Sequence, residues 1–101
     1  MTILEKKILS LVNKIPKGKV TTYGLLALKI GNSRLARVVG NAVHKNLNII
    51  VVPCHRVVKS DGQIGNYRLG IAKKTELLQN EGIKIKAGKI LNFTDVLYNF
   101  N

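Results

Sequence analysis

Apolar residues recur at helical spacing along the first fifteen positions of the chain. Thr2 and Glu5 stand three residues apart, as in a capping box, just before this apolar stripe. Pro16 follows the stripe and cannot continue a helix. The pattern therefore predicts a first helix that begins after Thr2, ends before Pro16 and buries one face, formed by Leu4, Ile8, Leu11, Val12 and Ile15.

Two more helices are predicted on either side of Gly31. Thr22 can cap a short helix over about residues 23–30, which Gly31 ends. Asn32 or Ser33 can cap the next helix. That helix runs over about 34–45, and its inner side carries Leu35, Val38, Val39, Ala42 and Val43.

Two helices joined by a tight turn that contains glycine are typical of a helix-turn-helix. The second helix of that motif contacts DNA through residues of its early turns. Here those turns carry Arg34 and Arg37. The alternative is an ordinary helical corner that binds nothing.

The rest of the chain alternates short extended segments with one more main helix. The pattern predicts a buried strand over 49–53, a hairpin over 57–65, a helix over 71–82, a β-ribbon over 83–90 and a helical turn in the tail, 94–101. The predicted fold class is mainly α with short β hairpins: a winged-helix-like domain that contains a helix-turn-helix. We expect one domain over residues 1–101.

The charge of the chain is strongly unbalanced. There are 17 Lys and Arg residues against 5 Asp and Glu, and the formal net charge is +12. Solubility of a small domain needs a net charge of only about 2–8. The excess indicates a polyanionic partner, of which nucleic acid is the commonest. The alternative is a solvated basic surface with no partner.

Targeting and membrane signals are absent from the sequence. No apolar run approaches the roughly 20 residues of a membrane span, and the start of the chain does not resemble a signal peptide. We therefore expect an intracellular protein of the cytoplasm or nucleoid, monomeric and without membrane contact.

Cys54 is the one cysteine of the chain, and His44 and His55 are its two histidines. This set has no metal-ligand spacing, so we expect no metal site. A lone cysteine is by default a small buried hydrophobe. A thiol becomes a nucleophile when a neighbouring base lowers its pKa. A direct bond between Cys54 and the adjacent His55 is not assured, because neighbouring side chains in an extended segment point apart; one water could bridge them.

The segment Pro53-Cys54-His55-Arg56-Val57 resembles the active-site signature of the O6-alkylguanine-DNA alkyltransferases, also called methylated-DNA–protein-cysteine methyltransferases. The resemblance extends from about Leu4 to Gly88. The chain therefore resembles the DNA-binding and catalytic portion of these proteins. The further matching blocks are residues 20–23 with 26–27, residues 36–40 with Ala42, Asn46, residues 65–67, and residues 77–78 with 81–82.

The resemblance implies a single-turnover DNA repair enzyme without a cofactor. Its partner would be double-stranded DNA that contains O6-alkylguanine, and its product would be S-alkylated Cys54. His55 would take the thiol proton through a water, Glu81 would support the imidazole, and Tyr23 would donate a proton or hydrogen bond to the leaving guanine.

The resemblance also implies how the DNA is held. Arg37 would enter the base stack in place of the extruded nucleotide. The remaining DNA-binding positions are Thr22, Arg34, Ala36 and Gly40, and the remaining pocket and support positions are Asn46, Pro53, Val57, Ser60 and Tyr67. Leu69, bulkier than its counterpart in some relatives, should narrow the pocket, so methyl should be transferred better than benzyl.

Two other functions stay open from the sequence. The alkyltransferase-like proteins share this layout and flag alkylated guanine without removing it, but they have Trp or Ala in place of the cysteine. A helix-turn-helix regulator with a redox-sensing thiol would bind a specific operator.

Overall fold

Five helices and four two-residue strands form the part of the chain, residues 2–46 and 52–100, that this computed structural model describes. In chain order they are α1 (Ile3–Val12), β1 (Thr21–Thr22), α2 (Tyr23–Ile30), α3 (Ala36–Lys45), β2 (Val57–Val58), α4 (Ile71–Asn80), β3 (Ile85–Lys86), β4 (Lys89–Ile90) and α5 (Phe93–Val96). Short 3-10 turns lie at Ser33–Leu35 and Cys54–Arg56. The predicted fold class is confirmed. The first three residues of the strand predicted over 49–53 lie outside the described residues.

The first helix begins at the predicted capping box. The Thr2 hydroxyl accepts a hydrogen bond from the Glu5 backbone N–H at 3.0 Å, and Glu5 Oε1 accepts one from the Thr2 N–H at 2.9 Å. The other oxygen of Glu5 pairs with Lys45 Nζ at 2.9 Å. The hydrogen bonds from Thr2, with the Lys45 charge, lower the pKa of Glu5 to about 2. One carboxylate therefore joins the start of α1 to the end of α3.

The predicted helix-turn-helix consists of α2 and α3. Thr22 Oγ1 caps α2 by accepting from the Leu25 N–H at 3.0 Å. Asn32 Oδ1 accepts from the Arg34 N–H at 2.9 Å, which starts the 3-10 turn before α3. Because that turn uses residues 33–35, α3 begins at Ala36, two residues after the predicted start.

The hairpin predicted over 57–65 forms only around its turn, where the Lys59 N–H donates to the Gln63 carbonyl at 2.9 Å and the Gly62 N–H donates to the Lys59 carbonyl at 3.0 Å. Val57 and Val58, which form β2, pair instead with β1. The two strands are parallel, with Thr21 opposite Val57 and Thr22 opposite Val58. Val57 and Val58 are both fully buried, and a strand buried on both faces suits an internal parallel ladder better than an exposed hairpin. The pairing sets the start of α2 beside the turn that contains Cys54.

The C-terminal segment continues this sheet on the other side of β1. The Val20 N–H donates to the Val96 carbonyl at 2.8 Å, and the Tyr98 N–H donates to the Val20 carbonyl at 2.7 Å. The predicted helical turn in the tail is thus only the four residues of α5, and an extended segment follows it. The predicted β-ribbon is confirmed as β3 and β4, which pair antiparallel.

Two apolar clusters stabilise the fold, one on each side of β2. The first includes Val57 and lies among α1, α2, α3 and the Cys54 turn. The second includes Val58 and lies beneath α4, the β-ribbon and α5. Among the helices described, none has the length and apolarity needed to cross a membrane.

Candidate active site

The Cys54 thiol lies at the wall of a cavity of about 340 Å³. This volume is within the range of small-molecule sites. Cys54 is only 3% exposed, so the sulfur is reached through this cavity rather than from open surface. The other lining residues come from α2, α3 and the segment before α4: Tyr23, Ala36, Gly40, Asn41, Val43, His44, Lys59, Asn66, Tyr67 and Arg68.

The surroundings of Cys54 act on its thiol in opposite directions. Burial raises the pKa of the thiol above its ordinary value. A hydrogen bond with the Asn46 side chain and the charges of Lys74 and Arg68 lower that pKa in part. The resting protein thus holds a protonated thiol, and forming the thiolate requires a base and nearby positive charge.

His55, which follows Cys54 in the turn, is buried and hydrogen-bonded to Glu81. The distance between His55 Nε2 and Glu81 Oε2 is 3.0 Å. Burial lowers the pKa of His55 more than the Glu81 carboxylate raises it. We therefore assign a neutral imidazole whose Nε2–H donates to Glu81, a hydrogen-bonded pair rather than an ion pair at neutral pH.

This assignment leaves His55 Nδ1 as a lone-pair acceptor. Nδ1 is buried and has no hydrogen-bond partner within residues 2–46 and 52–100. A carboxylate behind one ring nitrogen fixes the tautomer and raises the basicity of the other nitrogen. The imidazole is therefore arranged to accept one proton at Nδ1.

Arg56 is a site residue that sequence reasoning missed. Its Nε and Nη2 donate to the two oxygens of Glu81, at 2.9 and 2.7 Å, and its Nη1 donates to the Ile15 carbonyl at 2.8 Å. Burial raises the pKa of Glu81, whereas the hydrogen bonds from Arg56 and His55 lower it. The hydrogen bonds together have the larger effect, so the pKa of Glu81 lies below its ordinary value. Arg56 thus keeps the partner of His55 ionised and fixed in orientation.

Two tyrosines line the cavity beside the thiol. Burial, with the charge of Cys54, raises the pKa of both Tyr23 and Tyr67. Both phenols therefore stay protonated at neutral pH and can donate hydrogen bonds. The Tyr67 ring meets the His55 ring edge-on, with centroids 6.4 Å apart.

Two of the five α3 residues that line the cavity, Ala36 and Gly40, have small side chains. Ala36 and Gly40 lie one turn apart and both line the cavity, and a Cβ at position 40 would meet no atom within 4 Å. Arg34 and Arg37 are exposed at the start of this helix. Thr22, predicted to contact DNA, is instead 4% exposed, because its side chain caps α2.

Several predicted pocket residues lie outside the cavity lining. Pro53 and Val57 are buried behind the Cys54 turn. Ser60 is exposed and belongs to a second, apolar depression of about 310 Å³. Leu69 is 53% exposed and does not line the cavity, so it does not narrow the pocket as predicted. Its neighbour Arg68 forms that wall instead.

Asn46 bonds to the segment that leads into the Cys54 turn. Its Nδ2 donates to the Val52 carbonyl at 3.3 Å, and its side chain also hydrogen-bonds Cys54. It is 2% exposed at the C-terminal end of α3. The amide therefore joins the helix-turn-helix to the segment that leads into the Cys54 turn.

Lys74 is a second missed residue. It is 1% exposed, and its ammonium group lies under the Cys54 turn. The available signal was its position four residues before Leu78, which puts it on the inner face of α4.

No group of three or more His, Cys, Asp or Glu side chains able to hold a metal occurs in the described ranges.

Comparisons with known proteins agree with this architecture. The family model for the DNA-binding domain of 6-O-methylguanine DNA methyltransferase matches residues 4–83. A methylated-DNA–protein-cysteine methyltransferase from Scheffersomyces stipitis is 42% identical over 81 residues, which cover 79% of this chain and 42% of that protein. The chain spans less than half the length of this and other curated relatives.

Two solved structures are similar over most of the chain. The structure of S. pombe Atl1 with damaged DNA containing O6-carboxymethylguanine has a TM-score of 0.84 and 32% identity, and covers 98% of this chain and 99% of that one. The structure of Mycobacterium tuberculosis OGT with DNA has a TM-score of 0.78 and 36% identity, and covers 81% of this chain and 50% of that one. With the family model matched over most of its length, the chain belongs to the 6-O-methylguanine DNA methyltransferase family, of which it contains the DNA-binding domain.

Proposed function

We propose that this protein repairs DNA by moving a methyl group from O6 of guanine to the sulfur of Cys54. One observation carries the proposal: the thiol lines a cavity that is also lined by the second helix of a helix-turn-helix. The names of the curated relatives and the DNA complexes of the similar structures support it.

The proposed recognition uses α3 and the net charge of +12. The O6 atom of a paired guanine faces its partner base, so the nucleotide must leave the stack before a thiolate can approach in line. Extrusion costs a few kcal/mol and is cheapest for a damaged, poorly paired base. Arg37 is exposed on the first turn of α3. We assign its side chain to the gap that the extruded nucleotide leaves in the base stack, where it offsets part of the free energy of extrusion.

The proposed chemistry is one nucleophilic displacement. The Cys54 proton passes to His55 Nδ1 through a water, and the sulfur forms a bond to the methyl carbon as the bond from that carbon to O6 breaks. The departing guanine receives a proton from the Tyr23 phenol, which the imidazolium later restores through solvent. The products are guanine and S-methylcysteine, a stable thioether, so each molecule acts once and no cofactor takes part.

Intact-protein mass spectrometry tests this function. After one equivalent of duplex containing O6-methylguanine, the wild-type protein should gain the mass of one methyl group, and the peptide that contains Cys54 should carry it. Cys54→Ser should gain none while still binding the duplex. Absence of any gain in folded wild-type protein would overturn the proposal.

A second candidate is a sensor that binds alkylated guanine and recruits other repair proteins. The match to S. pombe Atl1 over 98% of the chain favours it. Cys54 speaks against it, since the sensors that the sequence resembles lack the cysteine. The same experiment separates the two functions, because a sensor would bind the modified duplex tightly and gain no mass.

A further inference from the structure

Lys74 is a buried lysine on α4. Neither the packing of the apolar clusters nor the proposed proton relay explains why a charged side chain is buried at this position. Its side chain is 1% exposed, and burying an ammonium group costs several kcal/mol unless it is well paired. A methionine of similar length would fill the space without that cost. The charge therefore calls for a physical reason.

The ammonium group of Lys74 joins the two sides of the candidate active site. Its Nζ donates to the Val57 carbonyl at 2.7 Å, at the end of the Cys54 turn. It also donates to the Asn66 carbonyl at 3.0 Å, on the segment that lines the cavity with Tyr67. One side chain from α4 thus joins the thiol turn to the cavity-lining segment that contains Asn66 and Tyr67.

The charge of Lys74 also acts on the thiol. Burial lowers the pKa of Lys74 to about 8, and the charge of Cys54 opposes this by raising it. Reciprocally, the charge of Lys74 lowers the pKa of Cys54. The other charged or titratable groups that act on this thiol are Arg68 and the phenols of Tyr23 and Tyr67 on the cavity wall. His55, next in the turn, is neutral until it accepts the thiol proton, so Lys74 and Arg68 supply the positive charge that acts on the resting thiol.

We propose that Lys74 is a positioning residue for alkyl transfer, which holds the Cys54 turn against the cavity wall and provides the buried positive charge that stabilises the thiolate. The inference deepens the proposed function and rests on it. His55 removes the proton, and Lys74 stabilises the anion that remains. The thiolate loses its charge when it is methylated, so the transfer leaves Lys74 without its counter-charge.

The test compares thiol reactivity in three variants at position 74 with a matched control. Iodoacetamide reports the thiolate without DNA, and the pH dependence of its rate gives the apparent pKa of Cys54. Lys74→Met should raise that pKa and slow alkylation at pH 7 by about tenfold or more, as expected when a neighbouring opposite charge is removed. Lys74→Gln should behave like Lys74→Met, and Lys74→Arg should restore most of the reactivity. The control is Lys73→Met, since Lys73 is exposed on the same helix, and it should match the wild type.

A purely structural role gives a different result. It predicts a change in melting temperature with the pH profile of the thiol unchanged, and a folded Lys74→Met protein with the wild-type profile would overturn the proposal. If that variant does not fold, Lys74→Gln decides, because its amide can still donate a hydrogen bond to the Val57 carbonyl but carries no charge. A folded Lys74→Gln protein with the wild-type pH profile of the thiol would reject the charge coupling. If the Lys74 variants change the pKa of the thiol as expected but the wild type takes no methyl group from DNA, the proposed function is rejected and the role of Lys74 toward the thiol stands.

Discussion

Arg56 and Glu81 form a two-point ion pair, in which one guanidinium edge meets both carboxylate oxygens at 2.9 and 2.7 Å. The residues are 25 positions apart, and Glu81 is also the hydrogen-bond partner of His55. The orientation of the imidazole therefore depends on a side chain that does not line the cavity.

Replacing Arg56 should damage both stability and transfer. Arg56→Met leaves a nearly buried carboxylate without its cation and should lower the free energy of unfolding by about 3–5 kcal/mol. Urea unfolding followed by circular dichroism measures this. Arg56→Lys is the matched control: it keeps the charge but cannot make the two-point contact, so we expect an intermediate stability and a slower methyl transfer. Wild-type behaviour of Arg56→Lys would show that the planar contact is unimportant.

Acid should destabilise the protein in two steps. The pKa of His55 is lowered in the folded state, so its stabilising contribution is complete above about pH 6.5, the value in an unfolded chain, and is lost as pH falls below it. The pKa values of Glu81 and Glu5 are also lowered, and their contributions are lost below about pH 4.5. Urea titrations from about pH 8 down to about pH 2 measure both steps. His55→Gln should remove the first step and keep the second; an unchanged pH profile in this variant would contradict the assignment of a neutral imidazole.

Filling the cavity at Gly40 should separate stability from activity. A Cβ at this position meets nothing within 4 Å, and glycine costs a helix about 1 kcal/mol relative to alanine. Gly40→Ala should therefore raise the melting temperature with little loss of activity. Gly40→Leu should keep the stability gain but occupy the space between α3 and Cys54. Single-turnover methyl transfer should then slow by about tenfold or more, which corresponds to a barrier raised by about 1.4 kcal/mol or more. Full activity in Gly40→Leu would show that the base does not enter along α3.

Removing the end of the C-terminal segment should loosen the start of α2. A chain that ends at Leu97 loses the hydrogen bond from Tyr98 to the Val20 carbonyl and the paired rings of Tyr98 and Phe100, whose centroids lie 5.0 Å apart. We expect a loss of about 2 kcal/mol or more in unfolding free energy, from one backbone hydrogen bond and two partly buried rings. Transfer should also slow, because Val20 leads into β1 and Tyr23. A chain that lacks only Asn101 is the control and should match the wild type in both measurements.

Local signals account for what the sequence predicted well. The capping box at Thr2 and Glu5 and the cap at Thr22 depend on residues three positions apart, so the sequence contains all their partners. Glu81 was assigned to His55 through family resemblance, and the 3.0 Å contact agrees with that assignment.

Non-local pairing accounts for what the sequence missed. Val57 pairs with Thr21, 36 positions away, and a short apolar pair does not reveal which segment it will meet. Lys74 and Arg56 were overlooked because a lysine or an arginine is usually a surface residue, and only the folded chain shows the carbonyls that satisfy each buried donor. Ser60 and Leu69 were placed by analogy, and neither of them lines the cavity.

The C-terminal part of α4 acts as a spacer of fixed length between two opposite charges. Lys74 and Glu81 are seven residues apart, close to two helical turns, so they project on the same side of the helix toward the Cys54 turn. The charge of Lys74 acts on the sulfur of Cys54, and Glu81 hydrogen-bonds the imidazole of His55. An added or deleted residue between them would rotate one charge by about 100° relative to the other. Adding or deleting one residue between Lys74 and Glu81 should therefore abolish transfer of the alkyl group to Cys54, even where α4 still forms.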